Sequence, residues 1–178
     1  MTETRQNISC IGIILDGNRR WAKARGLQTL EGHRKGKEAI KIVARLVKEV
    51  GIPHLVVYAF STENWKRATE EVSYLMDLFR EAIQKEFAEL GKENVRIRFV
   101  GQRERFAKDL QEAMSHVEKD TAQNDSFTLW VCLSYGGHAE IVASARAADA
   151  SGEEITEESI TRHLWTAGMP DPDIIIRT

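Results

Sequence analysis

The stretch Ile11-Gly12-Ile13-Ile14-Leu15-Asp16-Gly17-Asn18-Arg19-Arg20-Trp21 runs an apolar segment into a carboxylate, a glycine and two guanidinium groups. The apolar run from Ile8 to Leu15 reads as a strand, and His54–Phe60, all but continuous in apolar residues, suits a strand covered on both faces, as in a parallel sheet. Asp16 then sits where the first of these strands meets the next helix. A hard carboxylate oxygen there can hold Mg2+ beside a phosphate, because magnesium takes one or two protein carboxylates and fills its shell with phosphate and water. Gly17 allows a close backbone turn, the following helix start offers free N–H groups to an anion, and Arg19 and Arg20 add donors shaped for phosphate oxygens. Asp16 could instead act only as a helix cap, which is compatible with holding a metal.

Working outward, strand-like runs alternate with helix-length amphipathic segments. A basic helical stretch extends to about Val50, followed by a strand over His54–Phe60 and a helix from about Glu70 to Leu90. A strand over Val95–Val100, a helix over Glu104–Lys119 and a strand over Phe127–Leu133 come next. Helices over Ala139–Ala148 and Glu157–Leu164 precede a last strand, Asp173–Ile176. This alternation predicts an α/β fold, a mostly parallel central sheet flanked by helices, in one domain spanning residues 1–178.

Such sheets bind ligands at the carboxyl ends of their strands. The residues at those ends are Asp16-Gly17-Asn18, Ser61-Thr62-Glu63-Asn64, Gly101-Gln102-Arg103, Ser134-Tyr135-Gly136-Gly137 and Arg177-Thr178, which predicts one composite site.

Composition narrows the function. A formal net charge of -2 gives no reason to expect a nucleic-acid partner. Charge is uneven, however: ten Lys or Arg against two Glu lie between Arg19 and Lys48, which points to a local anion site or a solvated basic helix face. Met1–Ser9 lacks an apolar signal core, and no run approaches the roughly 20 apolar residues of a membrane span. A cytoplasmic protein touching membrane at most peripherally is expected. Cys10 and Cys132 lie in apolar runs and read as buried hydrophobes.

Other segments carry chemistry. His33, at a helix start among cations, could bond a diphosphate oxygen or move a proton. Ser61-Thr62-Glu63-Asn64-Trp65-Lys66-Arg67 can orient a polar substrate and close over the site, beyond what a capping sequence needs. Val72, Leu75, Met76, Phe79, Ile83, Phe87 and Leu90 form an apolar stripe, which periodicity alone assigns to the core. A phosphatase that begins on a strand-end Asp needs a second carboxylate two residues later as general acid; Asn18 stands there and cannot serve.

These motifs, in this order, resemble the cis-prenyltransferase family of the undecaprenyl diphosphate synthase type: Asp16–Ala22, Gly32-His33, Tyr58–Arg67, Ser134-Tyr135-Gly136-Gly137 and Pro172–Thr178. The resemblance implies that family's parallel-sheet fold and the condensation of isopentenyl diphosphate with an allylic diphosphate (geranyl, farnesyl or longer). The product would be a (poly)cis-prenyl diphosphate such as undecaprenyl diphosphate, destined for polyprenyl lipid carriers; a non-catalytic subunit or diphosphate-binding remnant of the family is the alternative. It implies Mg2+ on Asp16, with Gly17, Asn18, Arg19 and Arg20 around the allylic diphosphate and Trp21 and His33 beside them. Ser61, Thr62 and Glu63 would form a mobile loop, Asn64 would assist proton removal, and Trp65, Arg67 and Arg177 would hold substrate. The apolar stripe would wall a tunnel for the growing chain. Family members also form homodimers and continue past the last strand into Gly-Gly-Glu and Arg-x-Ser elements, which this sequence lacks. Arg19, Thr29 and His138 stand where the family often has Gly, Arg and Arg.

Overall fold

A computed structural model describes residues 8–178. Of the polar opening Met1–Ser9, all but the last two residues therefore lie outside the described part.

Five strands form one parallel sheet in the order β3-β4-β2-β1-β5: β1 (Cys10–Ile14), β2 (His54–Ser61), β3 (Val95–Val100), β4 (Phe127–Tyr135) and β5 (Ile174–Arg177). β2 and β4 pair at the centre, where their apolar side chains can be covered on both faces. Alternation sorts them: Leu55, Val57, Ile97, Leu129 and Val131 join the larger core, while Val56, Val100 and Cys132 face the smaller one. On the larger side lie α2 (Thr29–Glu49), α3 (Thr69–Ala82) and α5 (Lys108–Asp120), which contribute Val47, Leu78 and Met114 among others. On the smaller side Trp130, Tyr135, Trp165 and Met169 pack near α6 (Gly137–Ala150) and α7 (Glu157–His163). Cys10 and Cys132 are buried free thiols, as their apolar settings suggest.

Several boundaries differ from the sequence reading, each for a local reason. The basic stretch is two helices, α1 (Asn18–Lys23) and α2. α1 ends in a tight turn through Gly26 (φ 65°), where the Leu27 N–H returns to the Ala22 carbonyl. The helix expected from Glu104 starts only at Lys108, after a 3-10 turn over Arg103–Arg105. There extended Phe106 is drawn into the core against Phe60 and Trp65.

The long helix after β2 is interrupted by a π-helical segment, Ile83–Phe87, before α4 (Ala88–Lys92). Leu75, Leu78, Ala82, Ile83 and Leu90 are the buried positions, while Val72 and Met76 are only partly covered.

Candidate active site

At the carboxyl end of β1, Asp16 Oδ1 accepts the Gly17 N–H at 2.6 Å, and Gly17 adopts φ 85°, a conformation costly for any side chain. The chain thus turns sharply into α1, which carries Asn18, Arg19 and Arg20. α1 lies unusually close to α2. A Cβ at Gly32 would stand 2.0 Å from the Asn18 carbonyl oxygen, and one at Gly36 would stand 2.5 Å from the Asn18 amide nitrogen. Two glycines one helical turn apart let the two basic helices meet, and so place His33 beside Asn18.

Asp16 Oδ2 accepts two N–H groups of Arg177, at 2.6 and 3.0 Å, and lies 3.6 Å from Arg20. The Arg177 hydrogen bonds, then the Gly17 N–H, hold the Asp16 carboxyl below the usual aspartate range, so it is ionised at neutral pH. Asp16 is one-third exposed, and no cluster of three or more metal-ligating side chains surrounds it among the described residues. Such a lone, ionised, accessible carboxylate fits a hard ion like Mg2+ that draws its remaining ligands from water and a diphosphate.

Glu71, in the first turn of α3, gathers the cations on the facing side. Its Oε1 lies 3.0 Å from His33 Nε2, 3.0 Å from Arg67 Nη1 and 3.9 Å from Arg19 Nε. Burial lowers the His33 pKa, and the neighbouring Arg67 and Arg19 push the same way, against the opposing pull of Glu71. His33 is therefore a neutral imidazole at pH 7; donating from Nε2 to Glu71 leaves Nδ1 as an acceptor. Sequence reading missed Glu71, because a Glu in a first helical turn is already explained by the helix dipole.

Asp16, Gly17, Asn18, Arg19, Arg20, His33 and Arg67 line one polar basin, whose empty space is about 1370 Å³ including its open mouth. Beneath it a narrow apolar cavity runs between the sheet and α2–α4 past Ile40, Val57, Phe79, Ile83 and Leu129. The two share Leu15, Asn18, His33 and Arg67, and Asn64 lies on the cavity side. From the apolar stripe, Phe79, Ile83, Phe87 and Leu90 line the cavity, together with Leu78 and Ala82 that the stripe omitted.

The remaining candidates are elsewhere. Trp21 is covered by the Arg25 guanidinium at 4.3 Å and lines neither space. Trp65 packs edge-on to Phe60 and Phe106 and donates to Ser134 Oγ at 2.9 Å. Asn64 Oδ1 accepts the Ser61 N–H at 3.0 Å, which closes the 3-10 turn over Thr62–Lys66 that also carries Glu63. Thr62 lies against Gly136. These residues shape the loop wall; they do not line the basin.

An anion basin opening into an apolar cavity, at the carboxyl ends of parallel strands, defines a class: α/β proteins that take an anionic head with an apolar tail. A family model described as "Putative undecaprenyl diphosphate synthase" matches residues 14–178. An isoprenyl transferase of Chromobacterium violaceum is 45% identical over 177 residues, covering 99% of this chain and 70% of that protein. A crystal structure of lavandulyl diphosphate synthase from Lavandula x intermedia, in complex with dimethylallyl diphosphate, superposes with a TM-score of 0.90 at 30% identity. It covers 96% of this chain and 77% of that one. A probable undecaprenyl diphosphate synthase from Campylobacter jejuni gives 0.76 at 27%, covering 96% and 74%. The chain belongs to the undecaprenyl diphosphate synthase family of isoprenyl transferases.

Proposed function

We propose that this chain condenses isopentenyl diphosphate with an allylic diphosphate (geranyl, farnesyl or longer) into a (poly)cis-prenyl diphosphate such as undecaprenyl diphosphate. The observation that carries this reading is the junction at Asn18, His33 and Arg67, where a cationic basin meets an apolar cavity. A diphosphate head in the basin and a prenyl tail in the cavity fit that junction, and each buried CH2 of the tail contributes about 0.8 kcal/mol.

In the reaction the allylic C–O bond breaks and its electron pair leaves with the diphosphate. The double bond of isopentenyl diphosphate attacks the freed carbon, and loss of a proton from the adduct places the new double bond. Negative charge grows on the departing oxygens, so the guanidinium groups of Arg19 and Arg20 and the Asn18 amide, which line the basin together, lower the barrier. Asp16 would hold Mg2+, which supplies Lewis-acid stabilisation of the leaving diphosphate. Its pairing with Arg177 keeps two groups in register: a diphosphate can take over the guanidinium, which leaves the carboxylate to the metal. Glu71 positions His33 and Arg67, and Asn64, which lines the cavity, would assist proton removal as the family resemblance implies. The apolar walls keep water from the cationic carbon. A product this apolar belongs in a bilayer, so peripheral membrane contact and a homodimer, as in the family resemblance, complete the reading. Among the described residues no helix is long and apolar enough to cross a membrane.

The test is transfer of label from isopentenyl diphosphate to farnesyl diphosphate by this chain with Mg2+, read as butanol-extractable product. Asp16→Asn is expected to lower turnover by about 100-fold or more. Binding of farnesyl diphosphate with no transfer would replace the enzyme by a diphosphate-binding subunit.

A further inference from the structure

Where α2 passes α3, a charged cluster stands in the wall of the apolar cavity. Lys37 Nζ lies 2.9 Å from Glu81 and 3.0 Å from Glu86, with Lys37 and Glu86 only 16% and 19% exposed. The second carboxylate oxygen of Glu86 is buried without a partner among the described residues. A buried pair of this kind seldom stabilises a fold more than apolar residues of the same size, and an orphaned oxygen adds a further cost. Folding alone gives no reason for it. Position does: Lys37, Leu78 and Glu86 line both the apolar cavity and a separate outer groove, whose other walls include Arg34, Glu38, Asp77 and Glu81. These three side chains are the partition between a greasy interior and a charged surface channel, and Glu86 sits in the π-helical segment.

We propose that the Lys37–Glu86 pair is a latch that seals the cavity toward the outer groove and thereby sets the length of apolar chain the protein accepts. The inference rests on the proposed seating of a prenyl tail in that cavity. Each CH2 buried tightens binding about fourfold. A tail reaching the partition must separate a buried ion pair, a penalty on the order of 100- to 1000-fold. One isoprene unit, with about five carbons to bury, gains roughly 1000-fold at most, so the first unit past the latch brings about tenfold net affinity or less.

The experiment measures binding of saturated n-alkyl diphosphates of increasing length to the full chain and to Lys37→Met/Glu86→Leu, with Lys37→Met/Glu86→Gln as the milder second variant. Folding of each is checked by circular dichroism. In the wild type, affinity should rise with length and then level off. In the variants the levelling point should move out by about five carbons or more, and the longest prenyl product should lengthen in parallel. A levelling point unchanged in a folded variant overturns the latch. A wild type that binds no alkyl diphosphate of any length overturns the prenyl-site reading and the latch with it. A shifted levelling point in a chain without transferase activity supports the latch and sinks only the proposed reaction.

Discussion

Replacing Gly32 by alanine sets two effects of opposite sign against each other. In a helix interior, Gly→Ala is worth about 1 kcal/mol of stability through backbone entropy. At Gly32, however, the new Cβ meets the Asn18 carbonyl oxygen at 2.0 Å and carbon at 2.8 Å, both backbone atoms that no rotamer change can move. Restoring an ordinary contact of 3.4 Å requires α1 to retreat by about 1.4 Å. Overpacking of this kind costs about 1–3 kcal/mol and outweighs the propensity gain, for a net loss of about 1 kcal/mol. That corresponds to a melting point lower by about 2–4 °C. The retreat also carries Asn18, Arg19 and Arg20 away from His33. A displacement of about 1 Å in positioned groups lowers kcat/KM by about 100-fold. Thermal melting with the isoprenyl-transfer assay measures both quantities. Gly36→Ala is the companion, since its Cβ overlaps only the Asn18 side chain; activity should fall with a smaller change in stability. A Gly32→Ala protein with a raised melting point and full kcat/KM would refute the close-approach argument.

Glu71→Gln should lower kcat/KM by about 10- to 100-fold, the worth of a charged hydrogen bond, since one carboxylate oxygen orients His33 and Arg67 together. Steady-state kinetics check this; an unchanged kcat/KM would reduce Glu71 to helix capping. Because the folded state depresses the His33 pKa, the unfolded chain takes up a proton that the folded chain refuses once pH falls below about 6.5. The stabilising contribution is full above that value and is lost as pH falls through the depressed one. Urea midpoints of His33→Gln should therefore decline less steeply than wild type between about pH 7 and pH 5, and parallel curves would contradict the assignment. Burial pushes the thiol of Cys10 up to about 11 and that of Cys132 up to about 12, so neither forms thiolate near neutrality. An aromatic disulfide reagent should label both only in denaturant; rapid labelling of the native chain would show that one of these strands opens.

Much of the fold could be read from the sequence because short runs rich in β-branched and aromatic residues alternate with helix-length amphipathic segments. Val95–Val100 matches to the residue, and the other four strands lie within two residues of expectation. Strand order was not legible, since pairing depends on contacts across long stretches of chain. The π-helical segment was also invisible: Ile83, Phe87 and Leu90 keep helical spacing, yet Leu78 and Ala82 replace Val72 and Met76 on the buried face. Within the site, Asp16, Asn18, Arg19, Arg20 and His33 could be found because strand ends and helix starts are local features. Trp65 could not be placed, because its ring follows a bond to Ser134, itself at φ 51°. Glu71 and Lys37 lie mid-pattern among ordinary helix-surface charges, and only packing shows what they touch.

β1 lies between β2 and β5, and Asp16 bonds a residue 161 positions further on. On a ribosome that adds about 5–20 residues per second, the second partner of β1 arrives on the order of 10–30 s after the strand itself. Throughout that interval one side of β1 offers unsatisfied backbone groups to any passing strand. A nascent chain of this topology is thus open to edge pairing for that interval, and the Asp16 carboxylate acquires its guanidinium neighbour only once the β5 segment has been made.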